Sequence, residues 1–236
     1  MGDDTGSAAA SRRVALGSRA RRSVVVATVL LGVLGAVALG AELPPGKRTA
    51  AELAGPVQSL MSLTGPFLGV LLVHDALRRG GGPALRVAFR AAVMFAIAVA
   101  LFGVVLCSTV LAAVPSQAPG GRWQHAGAIA AGSVLVQVVA QLTGTGMGLL
   151  VRRPVVACLL TILPLGVWLL LGAVDALRPA QAWLTLLPSA ERLLAGEMGL
   201  ADWLPWAVAL VLWVLGPHLV GLRATSRRAV TVAVDD

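Results

Sequence analysis

Six apolar runs, separated by short polar segments, constrain the fold of this 236-residue chain more than any other feature. Each run is long enough to cross the roughly 30 Å hydrocarbon core of a bilayer as a helix of about 20 residues. Lipid offers no partner to an open backbone, and the alternating pattern of a membrane β-barrel is missing, so each run is predicted to be helical. The sequence therefore predicts an all-α polytopic membrane protein with spans near residues 23–41, 56–73, 91–114, 126–151, 154–174 and 204–222.

The composition agrees with a chain whose solvent is lipid. Hydrophobic residues make up 57% of it, charged residues 13%, and the mean hydropathy is +0.85, whereas a soluble domain carries about a quarter charged residues. A net charge of +8 would suggest nucleic acid in a soluble protein, but these arginines lie beside apolar runs, where membrane topology explains them. No nucleic-acid partner is predicted. Cys107 and Cys158 fall inside apolar runs and form no CxxC pair, so both are interpreted as small buried hydrophobic residues.

The distribution of basic residues predicts the orientation. Six spans put both chain ends on one side, and fourteen of the 19 basic residues fall on that side, which the positive-inside rule assigns to the cytoplasm. Three segments follow: a basic cytoplasmic tail or interfacial helix at 1–22, a six-helix transmembrane domain at 23–222, and a cytoplasmic tail at 223–236. The first run also has the outline of a cleavable signal peptide, but its length and the five spans after it favour an uncleaved helix.

The interior of the predicted spans contains no Asp, Glu, Arg or Lys, although a secondary carrier usually needs such a group near mid-membrane. The sequence also lacks a GxxxxGK[ST] P-loop, a GxSxG elbow and an HExxH zinc site, so the chain is predicted to be non-catalytic, with no metal or cofactor of its own. Gln137, Gln141 and Thr145 share one face of the fourth span. They are interpreted as interhelical hydrogen-bonding groups or, alternatively, as the lining of a translocation pathway.

Glycines and prolines indicate where the spans pack and bend. Gly65 and Gly69 form a GxxxG pair in the second span, and Gly144 and Gly148 form another in the fourth, which predicts close helix packing. Proline removes a backbone donor. Kinks are therefore predicted in the second, fifth and sixth spans, at Pro66, Pro164 and Pro217.

Residues 176–203, just before the last run, carry an apolar stripe with three- and four-residue spacing. Pro188 is predicted to divide this stripe, with Ser189 and Glu191 starting the second piece. The pattern indicates a short helical hairpin on the outer side, either re-entrant into the outer leaflet or lying at the interface.

A charged segment between the second and third runs carries an acidic residue and four arginines around three consecutive glycines: Asp75, Arg78, Arg79, Arg86 and Arg90. Its HDALRRGGG stretch, residues 74–82, resembles the segment after the second span in permease subunits of the ABC-2 type transporter family. GTGMGLLVRRPVVACLLTILPL, residues 144–165, is similar to that family's fourth span, basic turn and fifth span. TLLPSAERLLAGE, residues 185–197, resembles its outer helical hairpin. The resemblance in layout extends from about residue 19 to residue 228.

The resemblance implies the transmembrane permease subunit of an exporter in a bacterial plasma membrane, in contact with lipid and paired with a second copy or a paralogue. A separate cytoplasmic ABC ATPase would bind ATP and Mg and drive transport. The loop 74–90 would couple the two subunits through the acidic residue and four arginines just named. Two alternatives remain: the segment is a solvated basic turn that only fixes topology, or the protein is a membrane-embedded scaffold or accessory protein without transport activity.

Overall fold

The computed structural model describes residues 18–235, with side chains described through Thr225. About 83% of the described residues are helical and none of them forms a strand. Six helices or kinked helix pairs are long and apolar enough to cross a membrane: Arg19–Glu42, Ala50–Arg78, Pro83–Ala113, Ala126–Leu150, Pro154–Gly172 and Leu200–Thr225. The predicted all-α architecture with six spans is confirmed, and the chain is a multi-pass membrane protein.

The first span is helix α1 (Arg19–Glu42), which begins where the Ser18 hydroxyl accepts a hydrogen bond from the Arg21 N–H at 3.3 Å. Such a cap satisfies a donor that the first helical turn would otherwise leave free. The last four residues of the predicted N-terminal tail, 19–22, are thus the first turn of α1. Residues 1–17 of that tail lie outside the described residues.

The second span consists of α2 (Ala50–Ser62) and α3 (Gly65–Arg78), the third is α4 (Pro83–Ala113), and the fourth is α5 (Ala126–Leu150). α2 and α3 meet at a kink, because Pro66 lies in the first turn of α3 and has no N–H to donate. The predicted bend at this proline is therefore present.

The connection between the second and third spans is shorter than predicted. α3 runs to Arg78 and α4 begins at Pro83, so the expected loop 74–90 is wrong: four residues, 79–82, join the two helices. Proline suits the first position of a helix, and the three glycines before it all have positive φ, which closes the turn without steric cost. The arginines at 86 and 90 did not end the helix, because a long arginine side chain near a span end reaches the interface.

The fifth span is α6 (Pro154–Leu160) and α7 (Leu163–Gly172), which meet at a second kink with Pro164 in the first turn of α7. The sixth consists of α10 (Trp203–Leu210), a π-helical turn at Val211–Leu215, and α11 (Gly216–Asp235). Pro217 follows this π turn, so the third predicted distortion is also present. The predicted tail from residue 223 continues α11, and its side chains beyond Thr225 lie outside the described residues.

Two short helices, α8 (Arg178–Leu184) and α9 (Leu187–Ala195), form the segment before the sixth span. The chain breaks at Thr185, whose backbone is extended, and not at Pro188. That proline lies in the first turn of α9, where its missing N–H is tolerated. The predicted start of the second helix at Ser189 is wrong, because α9 already begins at Leu187. Leu186 occupies the capping position, and no side chain caps the helix.

The fourth span, α5, is the centre of the bundle and packs against α2, α3, α4, α9 and α11. Its contact with α3 is the closest, because the two GxxxG pairs face each other. Gly69 lies against the α5 backbone at Gln141, and Gly144 lies against the α3 backbone at Pro66. Helices that meet through glycine bring their backbones together, which strengthens dispersion contacts in a lipid environment.

Candidate functional site

A cavity of about 270 Å³ lies between the two kinked spans, the middle of α5 and the hairpin helix α9. Both kinks contribute directly to its wall, since Pro66 and Pro164 lie in the lining together with Leu63 and Ile162, which precede them. Proline kinks open space between helices and leave carbonyls without their usual donor. Such backbone is tolerated at membrane depth where protein buries it or where it faces a cavity.

The hairpin lies along the bundle. Gly196, just after α9, contacts His125 at the start of α5, while Leu193 contacts Gly132 about two turns farther along α5. At the other end of α9, Leu187 lines the cavity with Thr143, in the last third of α5. α9 therefore lies beside the first half of α5, and its Leu187 end reaches the cavity.

The junction between α8 and α9 is fixed to the sixth span. The Leu184 carbonyl accepts a hydrogen bond of 2.7 Å from Trp213 Nε1 in the π turn. The adjacent Thr185 is fully buried, and its hydroxyl donates to the Gln181 carbonyl at 2.7 Å. The Trp213 bond holds the α8–α9 junction against the sixth span, and α9 forms one wall of the cavity.

The predicted pathway residues lie outside the cavity lining. Gln137 Nε2 donates to the backbone and side-chain oxygens of Gln58 on α2, both at 3.0 Å, and Gln58 Nε2 donates to the Ala100 carbonyl on α4 at 3.0 Å. This chain joins the second, third and fourth spans. Gln137 thus makes an interhelical hydrogen bond, as the first of the two interpretations from the sequence expected.

The other two members of that face have different surroundings. Gln141 is buried against Gly69, and neither atom of its amide has a hydrogen-bond partner among the described residues. Thr145 donates to the Leu142 carbonyl at 2.9 Å, and its hydroxyl lies 3.0 Å from Nε2 of His218 in the sixth span. Both residues pack α5 against its neighbours.

Asp75 and the four arginines predicted to contact an ATPase lie at the end of the bundle where α1 begins and α3 turns into α4, called here the arginine-rich end. Asp75 forms an ion pair with Arg21 on the first turn of α1, and its Oδ2 lies 4.0 Å from Nη2 of Arg79. Arg21 is only 2% exposed, and its Nη1 has no partner among the described residues. The pair joins the first and second spans, and a buried cation needs such a counter-ion.

The four arginines of this segment are exposed: Arg78, Arg79, Arg86 and Arg90. Arg79 and Asp75 also help to line a groove of about 220 Å³ between the end of α3 and the start of α4. The structure thus separates the predicted coupling set into four accessible cations and one carboxylate already engaged within the chain.

Sequence reasoning missed the roles of two residues. Arg21 counted only as a tail charge, and no local signal links it to a carboxylate more than fifty positions away. Glu191 was interpreted as a helix-starting residue, but its side chain lines the cavity. Its place among the apolar residues of the hairpin stripe was the available signal.

Comparisons with models of protein families, with curated proteins and with solved structures find no match to this chain. Within the part of the chain whose side chains are described, no group of three or more His, Cys, Asp and Glu residues is placed to hold a metal ion.

Proposed function

We propose that this chain is the transmembrane permease subunit of an ATP-driven exporter, and that it forms the substrate pathway as a dimer with a second copy or a paralogue. The observation that carries the proposal is the cavity between two proline-kinked spans and the hairpin. Interrupted helices beside a cavity are a recurring feature of transporters, because bent helices can both line a site and move about it.

The distribution of charge supports an external energy source. Every charged side chain of the six spans lies within about two turns of a span end, including the buried Arg21. A secondary carrier usually places a titratable or cation-binding group at mid-span. In this proposal the driving energy comes from a separate cytoplasmic ATPase, which binds ATP and Mg.

The arginine-rich end is the proposed contact with that ATPase. Arg78, Arg79, Arg86 and Arg90 are exposed around the short turn and would face acidic groups of a partner, and positive charge at this end agrees with a cytoplasmic location. Asp75 has a different role in the proposal: through its ion pair with Arg21, it holds α1 against the turn that the partner contacts.

The test is affinity purification of the tagged protein from native membranes in mild detergent, with mass spectrometry of the proteins that come with it. A stoichiometric partner that carries a P-loop and an ABC signature is expected. Recovery of the protein alone, or with unrelated membrane proteins across several detergents, would reject the permease and favour the scaffold.

A charge reversal locates the contact. The double variant Arg78→Glu/Arg79→Glu is expected to lose the ATPase while it keeps its size-exclusion profile and its topology. The control is Arg152→Glu/Arg153→Glu, which reverses the exposed pair between α5 and α6. Full recovery of the complex with the first variant would show that the turn is not the docking surface.

A further inference from the structure

The cavity lining has a negative charge that no cation within the protein balances. Glu191 on α9, an exposed residue, is the single charged side chain of the described lining, which contains no Lys, Arg or His. Among residues 18–225, no cation forms an ion pair with Glu191, and the adjacent Arg192 pairs with Asp202 instead. An anionic ligand would meet only repulsion here, whereas a cationic ligand would supply the missing counter-charge.

The hydroxyl groups of the lining act as acceptors toward a ligand. Ser62, Thr143 and Thr161 each donate to a carbonyl three or four residues earlier in the chain, at 2.6–2.9 Å. A hydroxyl has one proton, so each of these groups has only lone pairs left to offer. The side-chain donors in the lining are the Ser59 hydroxyl and the Trp206 indole, and both are neutral.

Apart from the Glu191 carboxylate and the hydroxyl groups, the lining is largely apolar. It includes two aromatic side chains, Phe67 and Trp206. Aromatic rings attract cations through their negative faces. The cavity volume of about 270 Å³ is near the lower limit of the roughly 300–1,000 Å³ typical of small-molecule sites. An apolar body of modest size with one positively charged donor group matches these surroundings.

We propose that the cavity binds amphiphilic organic cations, with a protonated amine held by the Glu191 carboxylate and the apolar body against α5 and the proline kinks. The inference rests on the proposed function in treating the cavity as part of the export pathway. Binding itself is measurable on the full chain without transport and without an ATPase.

The experiment compares two photoreactive probes on the purified full-length protein in nanodiscs. One is a primary alkylamine with a diazirine in its chain, and the other is the same molecule with a hydroxyl in place of the ammonium group. Labelled peptides are mapped by mass spectrometry over a range of probe concentrations. The amine is expected to label the α5 and α9 walls of the cavity at lower concentration than the alcohol.

Substitutions at Glu191 test its role. Glu191→Gln is expected to weaken amine labelling by roughly two- to fivefold, since it removes the charge of an exposed carboxylate whose ion pair water partly screens, and to leave alcohol labelling unchanged. Glu191→Asp keeps the charge and should keep the amine preference. The matched control is Glu197→Gln, which removes a carboxylate that is exposed like that of Glu191 but lies outside the cavity lining.

Equal labelling by both probes, or amine labelling that Glu191→Gln leaves intact, would overturn the cation site. An equal loss of amine labelling in Glu197→Gln would also overturn it, since general surface charge would then explain the preference.

The cation site and the permease function can fail independently of each other. Amine-selective labelling of a protein that recruits no ATPase keeps the cation site and rejects the permease, whereas an ATPase partner without amine selectivity rejects the cation site alone.

Discussion

Replacing single glycines of the α3–α5 contact by alanine should destabilise the protein in an order set by the space beside each glycine. A methyl group at Gly144 would overlap the Pro66 carbonyl oxygen of α3, and one at Gly69 would lie 2.6 Å from a backbone atom of α5. At Gly148 the nearest atom, also backbone, is 3.2 Å away, while at Gly65 it is a side-chain methyl group at 3.8 Å, an ordinary contact.

The magnitude follows from two opposing effects. Alanine favours the helix by about 0.5–1 kcal/mol relative to glycine, and overpacking of a close contact costs roughly 1–3 kcal/mol. At Gly144 and Gly69 the obstacle is main chain, which cannot rotate away, so the net loss should be about 2 kcal/mol. At Gly148 the two effects nearly cancel. At Gly65 the helix gain is opposed by the ring of the following Pro66, which disfavours a helical residue with a Cβ before it, so only a small net change should remain.

Thermal unfolding in detergent measures this order. With about 2–4 °C per kcal/mol for a chain of this size, the Gly144→Ala and Gly69→Ala variants should melt about 4–8 °C below the wild type. Gly127→Ala is the matched control, because it lies in α5 with no atom within 4 Å of the added methyl. It should melt at or slightly above the wild-type temperature. Equal melting temperatures for Gly144→Ala and Gly65→Ala would refute the close backbone contact between α3 and α5.

Two buried polar pairs give further predictions. Arg21→Ala and Asp75→Ala should each destabilise the protein. The double variant should lose less stability than the sum of the two single variants, with a coupling of about 0.5–3 kcal/mol in a double-mutant cycle of melting curves. Strict additivity would show that the ion pair contributes nothing. Gln137→Leu alone leaves the Gln58 side-chain oxygen buried without a donor and should cost about 1–3 kcal/mol. Gln58→Leu/Gln137→Leu should melt closer to the wild type, and a double variant worse than either single one would contradict the hydrogen bond.

The sequence was sufficient to predict the number of spans and the positions of their distortions. Apolar runs of bilayer length allow only helices, and a proline without an N–H disturbs a helix wherever tertiary packing keeps it helical. The kinks beside Pro66 and Pro164 and the π turn before Pro217 agree with that chemistry, whereas Pro56 lies inside α2 without a break. Span boundaries were less predictable, because charged residues at 86 and 90 can belong to a membrane helix whose end they occupy.

The candidate site was predictable only in part, because its residues meet through tertiary packing. The pairing of Gln137 with Gln58, and of Arg21 with Asp75, depends on which spans are neighbours, and hydrophobic patterning says nothing of that order. The position of Glu191 in the cavity lining likewise depends on tertiary packing. Its position in a helical stripe was visible, but its side chain lines a cavity only because α9 lies beside α5.

The sixth span contacts both the cavity and the α8–α9 junction of the hairpin. Trp206 lines the cavity from this span, and Trp213, which lies in the π turn, donates a hydrogen bond to the Leu184 carbonyl of the hairpin. In the π turn the Gly216 N–H bonds to the Val211 carbonyl, and Pro217 has no N–H to offer the carbonyls beside it. A helix with fewer regular bonds at one level bends there most easily. Trp213 lies in this turn, so the hairpin is attached to the sixth span at the level where that span has its fewest regular hydrogen bonds.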